Sequence, residues 1–311
     1  MRAASASLLL CAALLVASRA FAAGASDAGA TEVAPATGPD SPPIGLHHSV
    51  WIDGAATAVL AGSLVTWSFA KADALSPSCT ICDGSQPGKV NGLDDLFRSA
   101  FKRRDGAAAS TAGDVVTYGV GPAMGLALTV GAAAADHRGD EAPLNSLLVV
   151  EASLAAISVN EALGAVIRRE RPRVHALEGD ARRAALTDSD ATSSFTSGST
   201  ASVMAITAAS ATIATLRGYR LAPLVWIVGT TVGLTSTYLQ IAADRSYFTD
   251  NLAGAAVGLG VGVLVPVLFH RRAEPRTSSG GGGGGKRWAE GLTLTSRTVP
   301  GGRVVGLGWS F

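Results

Sequence analysis

The chain reads Gly164-Ala-Val-Ile-Arg-Arg-Glu-Arg-Pro172, then Phe195-Thr-Ser-Gly-Ser-Thr200, then Gln240-Ile-Ala-Ala-Asp-Arg-Ser-Tyr-Phe-Thr-Asp250. Each of these three polar segments lies at the end of an apolar run that is long enough to form a helix. The apolar runs cover residues 115–135, 144–167, 201–216, 221–242 and 252–269. Long apolar runs separated by short polar segments predict an all-α bundle with the polar segments at the helix ends.

The composition is strongly apolar. The chain is 48% hydrophobic and only 16% charged, and its mean hydropathy is +0.31. The excess comes from Ala, Gly, Val and Leu in long blocks, which favours a membrane-embedded bundle or a tightly packed helical core. A formal net charge of +1 gives no indication of a nucleic-acid partner.

The N-terminal part has the features of an exported protein. Residues 1–22 are typical of a secretory signal peptide, with Arg2, an apolar run and a small-residue cleavage site, and an uncleaved anchor is the alternative. Residues 23–48 are predicted to form a flexible leader, and residues 49–113 to form helices and a loop. That loop contains Cys79 and Cys82, for which we expect a local disulfide. No further metal ligands lie nearby, so we expect no metal site.

The C-terminal part divides into a core and an appendage. Residues 114–270 are predicted to form one helical domain. Residues 271–311 contain a Gly-rich linker, followed by two alternating stretches that flank Pro300-Gly-Gly. This pattern predicts a short β-hairpin.

The three polar segments together resemble the signature of the type 2 phosphatidic acid phosphatase and vanadium haloperoxidase (PAP2) superfamily. That signature is Lys-x6-Arg-Pro, then Pro-Ser-Gly-His, then Ser-Arg-x5-His-x3-Asp. The positions that fit are Arg171, Pro172, Ser197, Gly198 and Asp250. The positions that depart are Gly164 for Lys, Thr196 for Pro, Ser199 for the first His, Gln240 for Arg and Ser246 for the second His. The resemblance implies a PAP2-like helical bundle that is embedded in a membrane.

The resemblance also implies a chemistry. In a complete member, the Lys and Arg side chains hold the phosphate oxygens, one His protonates the leaving group, and the other His attacks phosphorus while the Asp orients it. Here Ser199 and Ser246 replace both histidines. Loss of a nucleophile or a general acid lowers rates by several powers of ten, so the resemblance predicts a catalytically impaired protein with no intact catalytic set. Vanadium chemistry loses its His ligand, and no cofactor is expected.

A residual phosphate pocket is nevertheless expected. Its predicted ligands for a phosphate or a phospholipid headgroup are Arg169, Arg171, Ser197 and Gly198. Ser197 and Gly198 precede a helix, where free N–H groups attract anions. Ser197, Ser199 and Asp250 also suit a simple helix-capping role.

Helical spacing gives a further expectation for the first segment. Gly164 and Arg171 are seven residues apart, which is two helical turns, so they are predicted to share a face with Asn160 and Arg168.

Two other functions remain open. One is an active lipid-phosphate or acid phosphatase that uses Ser246 as nucleophile or His175 as acid. The other is a structural membrane scaffold without a ligand.

The location follows from the number of membrane spans. If the segment 50–70 does not span, the five later segments place the motifs on the periplasmic face of the inner membrane and residues 216–220 and 270–272 inside. If that segment spans and the leader is cleaved, the motifs lie in the cytoplasm. A water-soluble periplasmic bundle and an outer-membrane association are the alternatives.

Overall fold

The computed structural model describes residues 45–74, 90–270 and 272, apart from the side chains of residues 72–74 and 189. The predicted signal peptide, most of the leader, the Cys79–Cys82 pair and the Gly-rich linker lie outside the described residues. Near the C-terminus the backbone forms two antiparallel strands, β1 (Leu292–Val299) and β2 (Gly302–Trp309). Their side chains also lie outside the description, and the hairpin appendage stays a prediction.

The described core is all-α. Its helices are α1 (Val50–Ala74), α2 (Gly92–Phe101), α3 (Gly106–Val115), α4 (Gly121–Ala135), α5 (Ala142–Val166), α6 (Pro172–His175), α7 (Gly179–Ala185), α8 (Gly198–Arg217), α9 (Ala222–Ala242) and α10 (Phe248–Phe269). A π-helical turn, Val116–Val120, makes α3 and α4 one continuous rod. Two 3₁₀ turns, Gly139–Glu141 and Ser189–Thr192, lie in the connections. The predicted domain boundary at residues 113 and 114 falls inside α3.

Helix α8 lies at the centre of the bundle and packs against α4, α5, α9 and α10. Its many Ala residues allow this, because small side chains let helices approach closely. Glycines of α10 face α8 at a spacing of four residues. A Cβ at Gly258 would lie 2.3 Å from the carbonyl oxygen of Ala201, and a Cβ at Gly254 would lie 2.5 Å from that of Ser197. Close packing therefore holds the N-termini of α8 and α10 side by side.

Six segments are long and apolar enough to cross a membrane: Val50–Lys71, Gly106–Ala135, Gly139–Val166, Gly198–Arg217, Ala222–Ala242 and Phe248–Phe269. Large apolar side chains are exposed on them, including Phe69, Ile227 and Leu252. Apolar outer faces of this kind fit a bundle in contact with lipid. The segment 50–70, which the five-span prediction left out of the membrane, is among the six.

The long helices alternate in direction. The C-terminal ends of α1, α5 and α9 and the N-terminal ends of α8 and α10 lie together, and we call this the motif end. The N-terminus of α1 and the C-terminus of α10 lie at the opposite end, which we call the far end. There an antiparallel bridge joins Leu46 to Arg272.

Candidate functional site

One cavity of about 250 Å³ at the motif end collects all three polar segments. Eight signature positions line it: Gly164, Arg171, Thr196, Ser197, Gly198, Ser199, Gln240 and Ser246. The structure thus brings together residues that are up to 82 positions apart in the sequence (246 − 164).

The second segment forms the start of α8, as its sequence predicts. Ser197 is the residue before the first turn, and Gly198 begins the helix. The first N–H groups of a helix have no carbonyl partner within it, and the helix dipole makes this end positive. A Cβ at Gly198 would lie 3.3 Å from Nδ2 of Asn160, so glycine allows α5 to approach closely here. The start of α8 thereby gives the cavity wall an anion-attracting character.

Arg171 is held firmly in the cavity wall. Its Nε donates to the backbone oxygen of Asp190 at 2.9 Å and its Nη2 donates to the Asp190 carboxylate at 2.7 Å. Its Nη1 donates to the backbone oxygen of Arg245 at 2.8 Å. Burial raises the pKa of Asp190, but Arg171, Arg173 and Lys71 lower it by more, so this pKa lies below its usual value. The Asp190 carboxylate is therefore ionised and neutralises part of the cationic charge.

The prediction that Gly164 and Arg171 share a helical face is wrong. Helix α5 ends at Val166, Ile167 is extended, and Arg171 is extended before Pro172. The segment from residue 167 to residue 171 lies beside residues 191–194. There the Arg171 N–H donates to the Ala191 oxygen at 2.9 Å. This loop, rather than helical periodicity, brings Arg171 to the cavity.

Arg168, the fourth member of that predicted face, does not line the cavity. Its side chain is buried, and its Nη2 donates to the hydroxyl of Thr192. Asn160 does line the cavity and accepts a hydrogen bond from the Thr196 hydroxyl.

Arg169 also lies outside the cavity lining. Its guanidinium donates to Asp250 at 2.7 Å and to Asp94 at 2.8 Å, and it lies 4.1 Å above the ring of Tyr247. Asp94 is fully buried and also accepts from the backbone N–H of Thr249 at 2.9 Å. Arg169 therefore ties α2 to the start of α10, and its position gives no support to the predicted phosphate contact.

Asp250 caps α10 instead of activating a nucleophile. It is fully buried and outside the cavity lining, and it accepts from the Tyr247 N–H at 3.1 Å and from the Ser194 hydroxyl at 2.5 Å. Ser246 lines the cavity, but its hydroxyl oxygen accepts from Nδ2 of Asn251 at 3.0 Å. An amide N–H cannot take a proton from a hydroxyl, so this contact does not activate Ser246.

Two further cations, which the sequence analysis did not identify as site residues, line the cavity. Arg245 comes from the third polar segment and donates to Asp114 at 2.5 Å, and Lys71 comes from the end of α1. The sequence could have indicated Arg245 as a site residue, because it precedes Ser246 in the third polar segment. Nothing in the sequence indicated Lys71, because only the long-range packing of α1 on α5 brings it to the site.

Gln240 lines the cavity and is only 3% exposed. Its Nε2 has no hydrogen-bond partner among the described residues. This atom lies 3.3 Å from the position of a Cβ built at Gly113, so it faces α3.

No imidazole is found among the described residues that line the cavity. His175 is 2% exposed and its Nδ1 lies 3.5 Å from a carboxylate oxygen of Glu170. It belongs to the α6 region beside the cavity and not to its wall.

Comparison with known proteins gives one match. Residues 144–274 match the family model described as the PAP2 superfamily. This segment contains all three polar segments and helices α5 to α10, apart from the first two residues of α5. No curated protein and no solved structure matches the chain.

Proposed function

We propose that this chain, which matches the PAP2 superfamily over residues 144–274, binds a phosphate group in its cavity without efficient turnover. The phosphate belongs either to a phospholipid headgroup or to a soluble phosphate ester. The observation that carries the proposal is the convergence of eight signature positions on one cavity in which both histidine positions are serine.

The donors in the cavity support anion binding. Lys71, Arg171 and Arg245 provide three cationic side chains, against the carboxylates of Glu161 and Asp190. Hydroxyl groups and the free N–H groups of α8 add neutral donors. Lys71 and Arg245 thus supply positive charge to a cavity whose signature cations are replaced at positions 164 and 240.

The same residues support weak or absent turnover. Phosphoryl transfer needs an activated nucleophile and an acid for the leaving oxygen. Ser246 contacts an amide donor, and Asp250 is occupied by Arg169, Ser194 and the backbone of α10. A rerouted reaction through His175 has no support from its position beside Glu170.

A phospholipid is the favoured source of the phosphate. The cavity lies at the end of six helices that could cross a membrane. On α1, Trp67 and Lys71 both line it, and aromatic and basic residues near a helix end are typical of the membrane interface. A lipid headgroup at that level would reach the cavity while its acyl chains stay in the hydrocarbon.

The test is equilibrium binding of phosphatidic acid and of inorganic phosphate to the full-length protein in detergent micelles. We expect Lys71→Ala to weaken binding by about tenfold, as for one charge-assisted contact. Arg104→Ala is the matched control, because Arg104 is an exposed cation near the motif end and does not line the cavity. Preference for phosphatidic acid over inorganic phosphate would identify the lipid as the source.

Phosphate release from the same ligands separates the remaining possibilities. We expect no release above that of the Ser246→Ala variant. Release that Ser246→Ala abolishes would establish the active phosphatase instead. Absence of any binding in the wild-type protein would leave the structural scaffold.

A further inference from the structure

A second polar cluster lies at the far end of the bundle. It consists of Asp53 on α1, Glu151 on α5 and His270 directly after α10, and one ligand atom from each lies within 4.8 Å of the others. We propose that this cluster binds a divalent transition-metal ion of the Zn²⁺ type, which fastens the start of α1 to α5 and α10. The sequence analysis expected no metal site, because it found no further ligands near Cys79 and Cys82.

Two atoms of the cluster form no hydrogen bond of normal geometry and face each other at 3.5 Å. Nε2 of His270 and Oε2 of Glu151 are buried, and neither has a hydrogen-bond partner in the described part of the chain. His270 is 2% exposed and Asp53 is 5% exposed, so water has little access. Buried polar atoms normally form hydrogen bonds, and these two atoms leave a position between them and Asp53 that a metal ion fits.

The hydrogen bond of Nδ1 determines which ring nitrogen of His270 carries the hydrogen. Its Nδ1 lies 3.2 Å from the backbone oxygen of His47. A carbonyl oxygen can only accept, so Nδ1 carries the hydrogen, and in the neutral ring Nε2 presents a lone pair. That lone pair faces the Glu151 carboxylate at 3.5 Å. Either a proton on Nε2 or a metal ion between the two atoms satisfies both of them, and a carbonyl on the distal nitrogen is the usual support of a metal-bound histidine.

The donor set selects the kind of ion. One imidazole nitrogen and two carboxylates suit Zn²⁺ and its transition-metal neighbours, whereas Mg²⁺ and Ca²⁺ prefer oxygen ligands alone. Bonds of about 2.0 to 2.2 Å in a tetrahedral site place ligand atoms about 3.3 Å apart, so the His270–Glu151 pair already has nearly the required separation. Asp53 is oriented by the N–H of Ser49, which donates to its Oδ2 at 3.0 Å.

The position of the cluster gives the ion a structural role. The buried residues of α1 are Asp53, Leu60 and Trp67, at a spacing of seven residues, and this narrow stripe packs on α5. Trp67 is anchored by its Nε1, which donates to Glu161 at 2.9 Å near the cavity. An ion at Asp53 would anchor the other end of the same helix.

Metal content of the full-length protein tests the proposal. The protein is purified with a tag that contains no histidine, and bound metal is removed with EDTA. It is then incubated with micromolar zinc, and unbound zinc is removed before elemental analysis. We expect one zinc per chain in the wild type and at least tenfold weaker binding in His270→Gln, Glu151→Gln and Asp53→Asn. His48→Gln is the matched control, since His48 is an exposed histidine in the segment directly before α1. Equal zinc content in wild type and His270→Gln overturns the proposal.

Thermal unfolding of the wild type gives a readout that does not depend on a variant folding. Zinc binding to the folded protein raises the midpoint relative to EDTA, and magnesium at the same concentration does not. If the wild type is folded and its unfolding midpoint does not respond to zinc, the proposal is overturned. The cluster is then an ion pair between a protonated His270 and the carboxylates. Lys71→Ala, which weakens the phosphate site, is expected to bind zinc normally, so the two proposals can fail separately.

Discussion

At the scale of the residue, the signature positions keep their place although their chemistry has changed. Ser199 and Ser246 line the cavity in the positions of the two histidines, and Arg171 is fixed by Asp190 and by the backbone of Arg245. Arg169 and Asp250, by contrast, contact each other and Asp94 and Ser194, outside the cavity. Asp250, a position that fits the signature, is therefore held in a buried ion pair outside the cavity.

The buried ion pair of Asp94 and Arg169 leads to a prediction about stability. Asp94→Asn removes a buried carboxylate that accepts hydrogen bonds from Arg169 and from Thr249, while Asp250 still compensates the charge of the guanidinium. We expect the free energy of unfolding to fall by about 2 kcal/mol, because buried charge-assisted hydrogen bonds are lost. Denaturant titration of the detergent-solubilised protein measures this change.

Asp95→Asn is the matched control, since Asp95 is the exposed neighbour of Asp94 on α2. A loss of less than about 0.5 kcal/mol is expected there, as for ordinary surface substitutions. Similar losses in the two variants would show that the ion pair does not stabilise the contact between α2 and α10.

Residue-level rules predicted part of this site from the sequence. The start of α8 at Gly198 and the capping role of Asp250 followed from local helix-end chemistry. The error over Gly164 and Arg171 came from extending helical periodicity through residues 167–171. Pro172 signalled the break, because the residue before a proline is pushed to an extended conformation. Lys71 and Asp94 could not be predicted as site or network residues, since their partners lie far along the chain.

At the scale of the element, the contact between α8 and α10 positions the cavity. Both helices begin with residues of the second and third polar segments, and the glycine face of α10 lets the two backbones touch. The sequence predicted both helices as apolar runs rich in small residues. The spacing of Gly254, Gly258 and Gly262 marks one face of α10, but it does not tell which helix packs against that face.

Gly258→Ala tests this contact. The added Cβ would lie 2.3 Å from the Ala201 oxygen, which is backbone and cannot rotate away. We expect a loss of about 1 to 3 kcal/mol in the free energy of unfolding, as for overpacking of a core. Phosphate binding is expected to weaken as well, because the start of α8 moves with the helix.

Gly260→Ala on the same helix is the control, because a Cβ there meets nothing within 4 Å. Alanine is the better helix former, so this variant is expected to be unchanged or slightly more stable. If the two variants lose equal stability, the cause is glycine flexibility in α10 and not its contact with α8.

At the scale of the whole molecule, the bundle is polar at both ends and apolar around its middle. Helix α1 runs beside α5 along its length, from the Asp53–Glu151 cluster to the bond between Trp67 and Glu161. If α5 spans a membrane, α1 therefore lies at the same depth. A periplasmic motif end then requires the residues before α1 to stay in the cytoplasm, whereas an exported N-terminus puts the motif end in the cytoplasm.

Labelling with a membrane-impermeant thiol reagent in intact cells distinguishes these orientations. Arg104→Cys reports the motif end and His48→Cys the far end, in a background without Cys11, Cys79 and Cys82. Labelling of only the first variant gives the periplasmic orientation that the sequence predicts. Labelling of only the second gives the opposite orientation and an exported N-terminus.

Charge at the motif end also predicts how the whole protein responds to acid. Burial raises the pKa of Asp244, but hydrogen bonds from Arg98 at 2.6 Å and Lys102 at 2.7 Å lower it by more. The pKa values of Asp94 and Asp190 are likewise below the usual 3.8. As the pH falls, the unfolded chain therefore binds protons before the folded protein does. The stabilisation from these carboxylates is complete near neutral pH and is lost progressively below about pH 4.

The measurement is the unfolding midpoint of the solubilised protein between pH 7 and pH 3. We expect a steep fall at the acid end that is smaller in Asp244→Asn, because an amide at this position has no proton to bind. Asp105→Asn is the control, since Asp105 is an exposed residue that caps α3 through the Ala108 N–H and forms no ion pair among the described residues. A profile that is identical in wild type and Asp244→Asn would mean that the contact of α2 with the end of α9 does not depend on this ion pair.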